Sequence, residues 1–185
     1  MEYDLWYTSG DLKALDFITN MRNYNKRLGK RVLFTPHMAV WLCRHCTEVD
    51  ANCLKVGNNI YCAPPVRSPT VIGSTALSLG LEEICIYNIA SELNQPEAWW
   101  DYMKYVSDCR TNNFAPECID SAKKSAGIDR AKLDACKSRA KHIFKKQYDD
   151  LRSSNVPYNP AIVVNNHVYR VFLPCIMRIG NLERG

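Results

Sequence analysis

YDLWYTSGDLKALDFITNMRNYNKRLGKRVLFTPHMAVW, residues 3 to 41, is the stretch that decides the fold. Tyr3 to Tyr7 is dense in aromatic and large apolar residues that favour extended chain, and predicts a strand. From about Asp11 to Leu28 the apolar positions Leu12, Leu15, Ile18, Met21 and Leu28 fall near one helical face. Ser9 or Asp11 is placed to cap that helix, and Gly29 follows where a left-handed stop belongs. Arg31 to Trp41 is a second strand candidate. Its Pro36 puts it at an edge or a bulge, because proline donates nothing to a ladder. Strand, helix, strand in this order predicts a parallel pair joined by a right-handed crossover.

Beyond Trp41 the chain changes character. Residues 42 to 75 hold Cys43, Cys46, Cys53 and Cys62 together with Asn58-Asn59, Pro64-Pro65 and Pro69, and predict an irregular loop held by crosslinks. Residues 76 to 152 read as a helical insertion. Ala76 to Leu93 carries Leu81, Ile84, Cys85 and Ile89 on one stripe; Pro96 opens a helix through Trp99, Trp100, Met103 and Val106. Adjacent tryptophans on a helix point different ways, so one is expected in the core and the other along a surface groove. Pro116 opens a further helix ending at Gly127, and Asp129 caps a long basic one reaching about Asp149. Residues 158 to 172 form a β-hairpin about Asn165-Asn166, since asparagine tolerates positive φ. Residues 173 to 185 form a tail without an assignment. The expectation is a single α/β domain, 1 to 185, running β-α-β, disulfide-rich loop, helical insertion, β-β. That is the layout of a thioredoxin-like domain, in which a cis-proline precedes the third strand. Pro160 occupies that place.

Length and composition agree with one core: 185 residues, 46% hydrophobic and 23% charged. The net charge of +5 is thickest at Arg22 to Arg31 and Lys132 to Lys146, which reads as solvated helix faces; no nucleic-acid fingerprint accompanies it. Charges interrupt every apolar run well before the ~18 residues a spanning helix needs. Met1 is followed by Glu2 and Asp4, unlike a secretory leader, so the chain reads either as cytosolic or as cut from a longer precursor. Nine cysteines favour the second, because reduced compartments rarely use so many.

Cys43-Arg44-His45-Cys46 has the spacing of a redox pair. A thioredoxin-like oxidoreductase carries that pair after the first strand, however, where this chain has Thr8-Ser9-Gly10-Asp11 and no cysteine. Cys43, Cys46, Cys53 and Cys62, with His37 and His45 nearby, offer enough ligands for zinc, but the two-pair spacing is absent. Structural disulfides are therefore expected, with no metal and no cofactor. Gly127 lies nine residues after Cys118 and nine before Cys136, so an antiparallel hairpin predicts a Cys118–Cys136 bridge. Cys85 and Cys109 straddle Asn94-Gln95-Pro96 and predict a second bridge in the same manner. His142 and His167 read as surface or packing residues. The neighbours Glu82-Glu83 and Asp149-Asp150 show no spacing that would hold two catalytic carboxylates face to face, and there is no glycine-rich phosphate loop.

Three runs together resemble the central luminal region of vacuolar sorting receptors: Val32-Leu33-Phe34-Thr35-Pro36, Val40-Trp41-Leu42-Cys43-Arg44-His45-Cys46 and Tyr61-Cys62-Ala63-Pro64. Trp99-Trp100-Asp101-Tyr102, Cys109, the Cys118 and Cys136 helices, and Pro160-Ala161-Ile162-Val163-Val164-Asn165-Asn166 with Tyr169-Arg170 extend the resemblance over about residues 3 to 171. The first eight cysteines fit the family pattern and leave Cys175 unpaired. After Arg170 the chain departs from the family, with Val171-Phe172-Leu173-Pro174-Cys175 standing where a link to a final helix belongs. The resemblance implies a catalytically inactive, cargo-binding domain in the lumen of the Golgi and prevacuolar system, part of a type I membrane receptor. Implied partners are sorting peptides of soluble vacuolar proteins, and neighbouring protease-associated and growth-factor-like domains. Nucleic acid and direct membrane contact are not among them. Thioredoxin-like folds present backbone donors and acceptors beside the cis-proline, so peptide binding is expected at Tyr7, Thr8, Ser9, Asn159 and Pro160. Tyr7 and Trp41 would supply an apolar wall and Arg170 would meet an acidic group. The competing function is a luminal thiol-disulfide oxidoreductase or isomerase using Cys43 and Cys46.

Overall fold

A computed structural model describes residues 1–65, 71–157 and 159–171. Strand β1 (Glu2–Tyr7), helix α1 (Leu12–Leu28) and strand β2 (Leu33–Met38) form the opening unit, with β1 and β2 parallel. Asp11 rather than Ser9 caps α1: its Oδ1 accepts from the N–H groups of Lys13 and Ala14, each at 3.0 Å. Buried Ala14, Leu15, Phe17, Ile18 and Met21 form the face that α1 turns inward. The hairpin closes the sheet: β6 (Ala161–Val164) runs antiparallel to β1, and β7 (His167–Arg170) antiparallel to β6, giving the order β2-β1-β6-β7. Asn165 and Asn166 hold φ of 47° and 67°, as a two-residue turn matched to strand twist requires. The Asn159–Pro160 bond ahead of β6 is cis.

Pro36 sits opposite Leu5 on β2, an edge strand. Helical side chains take two of that strand's outward backbone groups. The Tyr87 hydroxyl donates to Phe34 O at 2.5 Å, and Gln147 Oε1 accepts from the Met38 N–H at 2.7 Å.

Two expectations about the middle of the chain are corrected. Trp41 is not part of β2. It opens β3 (Trp41–Cys43), which joins β4 (Cys53–Val56) and β5 (Asn59–Cys62) in a separate antiparallel sheet of order β3-β5-β4. The supposed irregular loop therefore contains three short strands. Gly57, at φ 63°, and Asn58 form a two-residue connection between Val56 and Asn59, which face each other. That Gly-Asn step was the legible hairpin signal among the cysteines.

Helices α2 (Gly73–Glu92), α3 (Glu97–Asp108), α4 (Pro116–Ser125), α5 (Arg130–Lys137) and α6 (Ala140–Ser154) follow. Helix α2 is apolar around most of its circumference and runs through the core between the two sheets and α3, as such a sequence must. The long basic helix expected from Asp129 is two helices. Ser138 and Arg139 interrupt it, and the Ser138 hydroxyl bonds the Ala135 carbonyl at 2.8 Å. The turn lets α6 lay Phe144 on Tyr61, with ring centroids 5.1 Å apart, while α5 stays on α2. Both tryptophans of α3 are buried, Trp99 at 1% and Trp100 at 2% exposure, and both rings pack on Phe34; neither lines a groove.

The helical disulfides are also corrected. Four bridges join Cys43 to Cys46, Cys53 to Cys62, Cys85 to Cys136 and Cys109 to Cys118. Equal offset about Gly127 does not pair Cys118 with Cys136, because α4 packs on α3 while α5 packs on α2. Cys136 of α5 meets Cys85 on the helix beneath it, and Cys118 reaches back across the α3–α4 connection to Cys109, the residue that follows α3. Cys175 lies outside the described residues.

The bridges close loops of different length, with separations of 51 for Cys85–Cys136 and 9 for Cys109–Cys118. Chain entropy alone makes the first worth about 4 kcal/mol and the second about 2.5 kcal/mol. Denaturant unfolding should rank the paired alanine variants in that order. Equal losses would show that strain or packing, not loop closure, governs these crosslinks.

Candidate functional site

The corner at the end of β1 is built by three elements. β1 delivers Tyr7, Thr8 and Ser9; the first turn of α1 fixes the chain at Asp11; α2 crosses above. Gly80 permits the crossing, since a Cβ there would lie 2.5 Å from Met38 Sδ and 3.1 Å from Ser9 Oγ. Three residues along, α2 inserts Glu83, which is fully buried. Glu83 Oε2 accepts from the Tyr7 hydroxyl at 2.8 Å and from the Ser9 hydroxyl at 2.5 Å, while its main-chain oxygen accepts from Trp99 Nε1 at 3.1 Å.

Burial lifts the Glu83 carboxyl to about 7; the hydrogen bonds from Ser9 and Tyr7 oppose this, and the neighbouring Glu82 adds to it. Burial, then the charge of Glu83, pushes the Tyr7 phenol up as well. Glu82 has different surroundings: Lys123 and Lys137 lie 3.2 Å and 3.3 Å from its carboxylate and Tyr102 donates to it at 3.0 Å. Sequence reading passed over Glu82-Glu83 because adjacent acids do not face one another. The usable signal was two carboxylates inside an otherwise apolar helix, which need partners.

The structure brings Tyr7, Thr8, Ser9, Asn159 and Pro160 together. Asn159 Nδ2 donates to Thr8 Oγ1 at 2.5 Å, tying the cis-proline loop to the corner. Thr8 and Ser9 are nonetheless 2% and 1% exposed, and Val71 packs over Gly10. Tyr7 is not an apolar wall for a ligand: its ring is buried and its hydroxyl is held by Glu83. Trp41 and Arg170 are both exposed, on β3 and β7. A Ser9–Glu83 pair resembles a nucleophile with its base, but a side chain sealed in the core reaches no substrate.

Cys43 and Cys46 lie at the end of β3 and in the turn beyond it, both half-buried. They do not open a helix, so the dipole that acidifies a redox thiol is missing. The Sγ atoms of Cys43, Cys46 and Cys62 lie within 4.8 Å of one another. As bridged sulfurs they have no thiolate to offer a metal. His37 is held elsewhere, stacked on Trp6 and 3.3 Å from Asp4 Oδ1. A concavity of about 400 Å³ runs beside β2, floored by Pro36, Ile84 and Ile143 and rimmed by Arg139, His142 and Lys146.

Residues 1–175 match the family described as vacuolar sorting receptor thioredoxin-like domain. Vacuolar-sorting receptor 3 of Arabidopsis thaliana is 29% identical, over 92% of this chain and 31% of its own length. Vacuolar-sorting receptor 1 of Pisum sativum is 27% identical, over 100% of this chain and 32% of its own. The chain thus spans about a third of the length of the curated relatives it matches. Two solved structures share the thioredoxin-like fold. The thiol-disulfide exchange protein alpha-DsbA2 from Wolbachia pipientis has a TM-score of 0.52 at 12% identity, covering 100% of this chain and 81% of that one. A putative protein disulfide isomerase from Nitrosomonas europaea has 0.53 at 9% identity, covering 100% of both.

A carboxyl held near 7 in the fold and at 4.5 ordinarily makes the folded state the tighter proton binder between those values. Its stabilisation is complete below about 4.5 and is lost as pH rises towards 7, by roughly 3 kcal/mol in all. Glu83→Gln removes the titration. In urea unfolding the variant should gain on the wild type by roughly that amount from pH 4.5 to 7.5; a difference constant with pH would refute the assignment.

Proposed function

Because the chain belongs to the vacuolar sorting receptor thioredoxin-like domain family, we propose that it is a catalytically inactive, cargo-binding domain of a receptor for soluble vacuolar proteins. The observation that carries this is the corner itself. Where a thioredoxin-like oxidoreductase places its nucleophile, this chain has Thr8-Ser9-Gly10-Asp11, with the Ser9 hydroxyl fixed on a buried carboxyl. The fold is kept while the position of its chemistry is filled by packing. Four disulfides suit an oxidising lumen, here the Golgi and prevacuolar system. No helix among the described residues is long and apolar enough to cross a membrane. Protease-associated and growth-factor-like domains are the neighbours this reading gives it.

Sorting peptides of soluble cargo are the ligands in this reading, bound on the outer side of the Asn159–Pro160 loop. Thr8 acts there through its bond to Asn159, and Trp41 and Arg170 supply exposed apolar and cationic contacts. Main-chain hydrogen bonds from the loop would give affinity and these side chains selectivity. Two measurements test the proposal. Titration with a vacuolar sorting peptide should move amide signals around Asn159 and Thr8; shifts confined to Arg139, His142 and Lys146 would transfer binding to the cleft beside β2, and none at millimolar peptide would end the cargo reading for this domain. Insulin reduction should show no turnover. Turnover that disappears in Cys43→Ser would replace this reading with the oxidoreductase one.

A further inference from the structure

The two bridges of the small sheet are neighbours. Register explains why: Cys53 and Trp41 both stand opposite Cys62, one on each side of the central strand β5. Opposed residues share a face, and Cys43, two residues beyond Trp41, returns to it. The sheet therefore sets Cys53, Cys62 and Cys43 on one face, Cys43 opposite Ile60 and so diagonal to Cys62, and the turn after β3 brings Cys46 to the same place. Of the second bridge, Cys62 is the sulfur that lies within 4.8 Å of both Cys43 and Cys46. Exposure is graded in the same direction, from half-buried Cys43 and Cys46 to Cys53 at 3%.

We propose that these four cysteines form a thiol-disulfide exchange site that accepts a dithiol. The Cys43–Cys46 bridge receives the dithiol's electrons and passes the opening inward to Cys53–Cys62. In the first step an external dithiol reduces Cys43–Cys46 and leaves as its own disulfide, so two thiols appear on the domain. In the second, a thiolate from Cys43 or Cys46 attacks Cys62 Sγ. The new bond forms to Cys62, the Cys53–Cys62 bond breaks, and Cys53 departs with the electron pair and takes a proton from water. No net oxidation accompanies this second step. Arg44, exposed between the two outer cysteines, adds a fixed positive charge to the segment that carries the attacking thiolate. Burial disfavours a Cys53 thiolate, so the native pairing is the resting state, and exchange runs back when Cys53 attacks Cys62 and Cys43 or Cys46 departs with the electron pair and takes up a proton. This differs from catalytic turnover on other proteins: the sulfur attacked belongs to the same sheet.

The test needs no reductant. Cys43→Ser leaves Cys46 as a permanent thiol beside Cys62, and Cys46→Ser does the same for Cys43. Each variant is trapped with N-ethylmaleimide in mildly alkaline buffer and mapped without reduction. A fraction of the chains is expected to give a Cys46–Cys62 or Cys43–Cys62 peptide, with the label on Cys53, which is protected in the wild type. Label confined to the remaining outer cysteine in both variants, with Cys53–Cys62 intact, overturns the proposal. Should a variant fail to fold, one equivalent of dithiothreitol on wild-type protein gives the same reading. Label reaching Cys53 while Cys62 stays bridged supports the route; label on Cys43 and Cys46 alone overturns it. Label appearing equally at Cys85, Cys109, Cys118 and Cys136 marks general unfolding and overturns it too.

Discussion

Helix α2 descends onto the first sheet at Gly80, so closely that Ser9 Oγ and Met38 Sδ occupy the space a side chain would need. Most of the structure depends on this approach. It carries Glu83 to the end of β1, where Tyr7 and Ser9 satisfy one oxygen of a carboxyl that water cannot reach. A buried acid in apolar surroundings is tolerable only with such partners or a retained proton. The same descent sets Cys85 at the depth where α5 brings Cys136, and aligns Tyr87 with the edge of β2. The corner cannot be opened for chemistry without lifting the helix around which the core is arranged.

This separates the chain from the thiol-disulfide proteins whose fold it shares. There is no cysteine at the β1–α1 corner, and the space above the corner is filled by Gly80, Glu83 and Val71. The bridges Cys85–Cys136 and Cys109–Cys118 fasten its helical segments to one another, and Cys53–Cys62 ties two strands of the small sheet. Each helical bridge reinforces a contact already made, α2 with α5 and the turn after α3 with the start of α4. The crosslinks reinforce the packing and do not substitute for a missing core.

The opening β-α-β unit, the closing hairpin and the place of Pro160 were legible because each rests on local rules: alternation, helical periodicity and turn chemistry. The second sheet was not, because cysteines and polar residues hid strands of three or four residues, although Gly57-Asn58 marked their turn. Helical bridges were misread for a related reason. Distance along a hairpin is visible in sequence, whereas the choice between the neighbour across a turn and the helix beneath is made by tertiary packing. At the candidate site, the residues around the corner were identified but their burial was not. Tyr7 looks like a ligand contact on β1 alone and becomes a core residue once α2 supplies Glu83.

The covering of β2 has a consequence for self-association. An edge strand with free donors and acceptors is a template on which any other extended chain can grow. Here the hydroxyl of Tyr87 occupies the Phe34 carbonyl, Gln147 occupies the Met38 amide, and Pro36 between them has no amide to give. Sheet propagation is thus arrested along this flank by three side chains from three different elements. A partner meeting this flank finds the ladder interrupted at Phe34, Pro36 and Met38 and must fit it largely as a surface, by shape and charge.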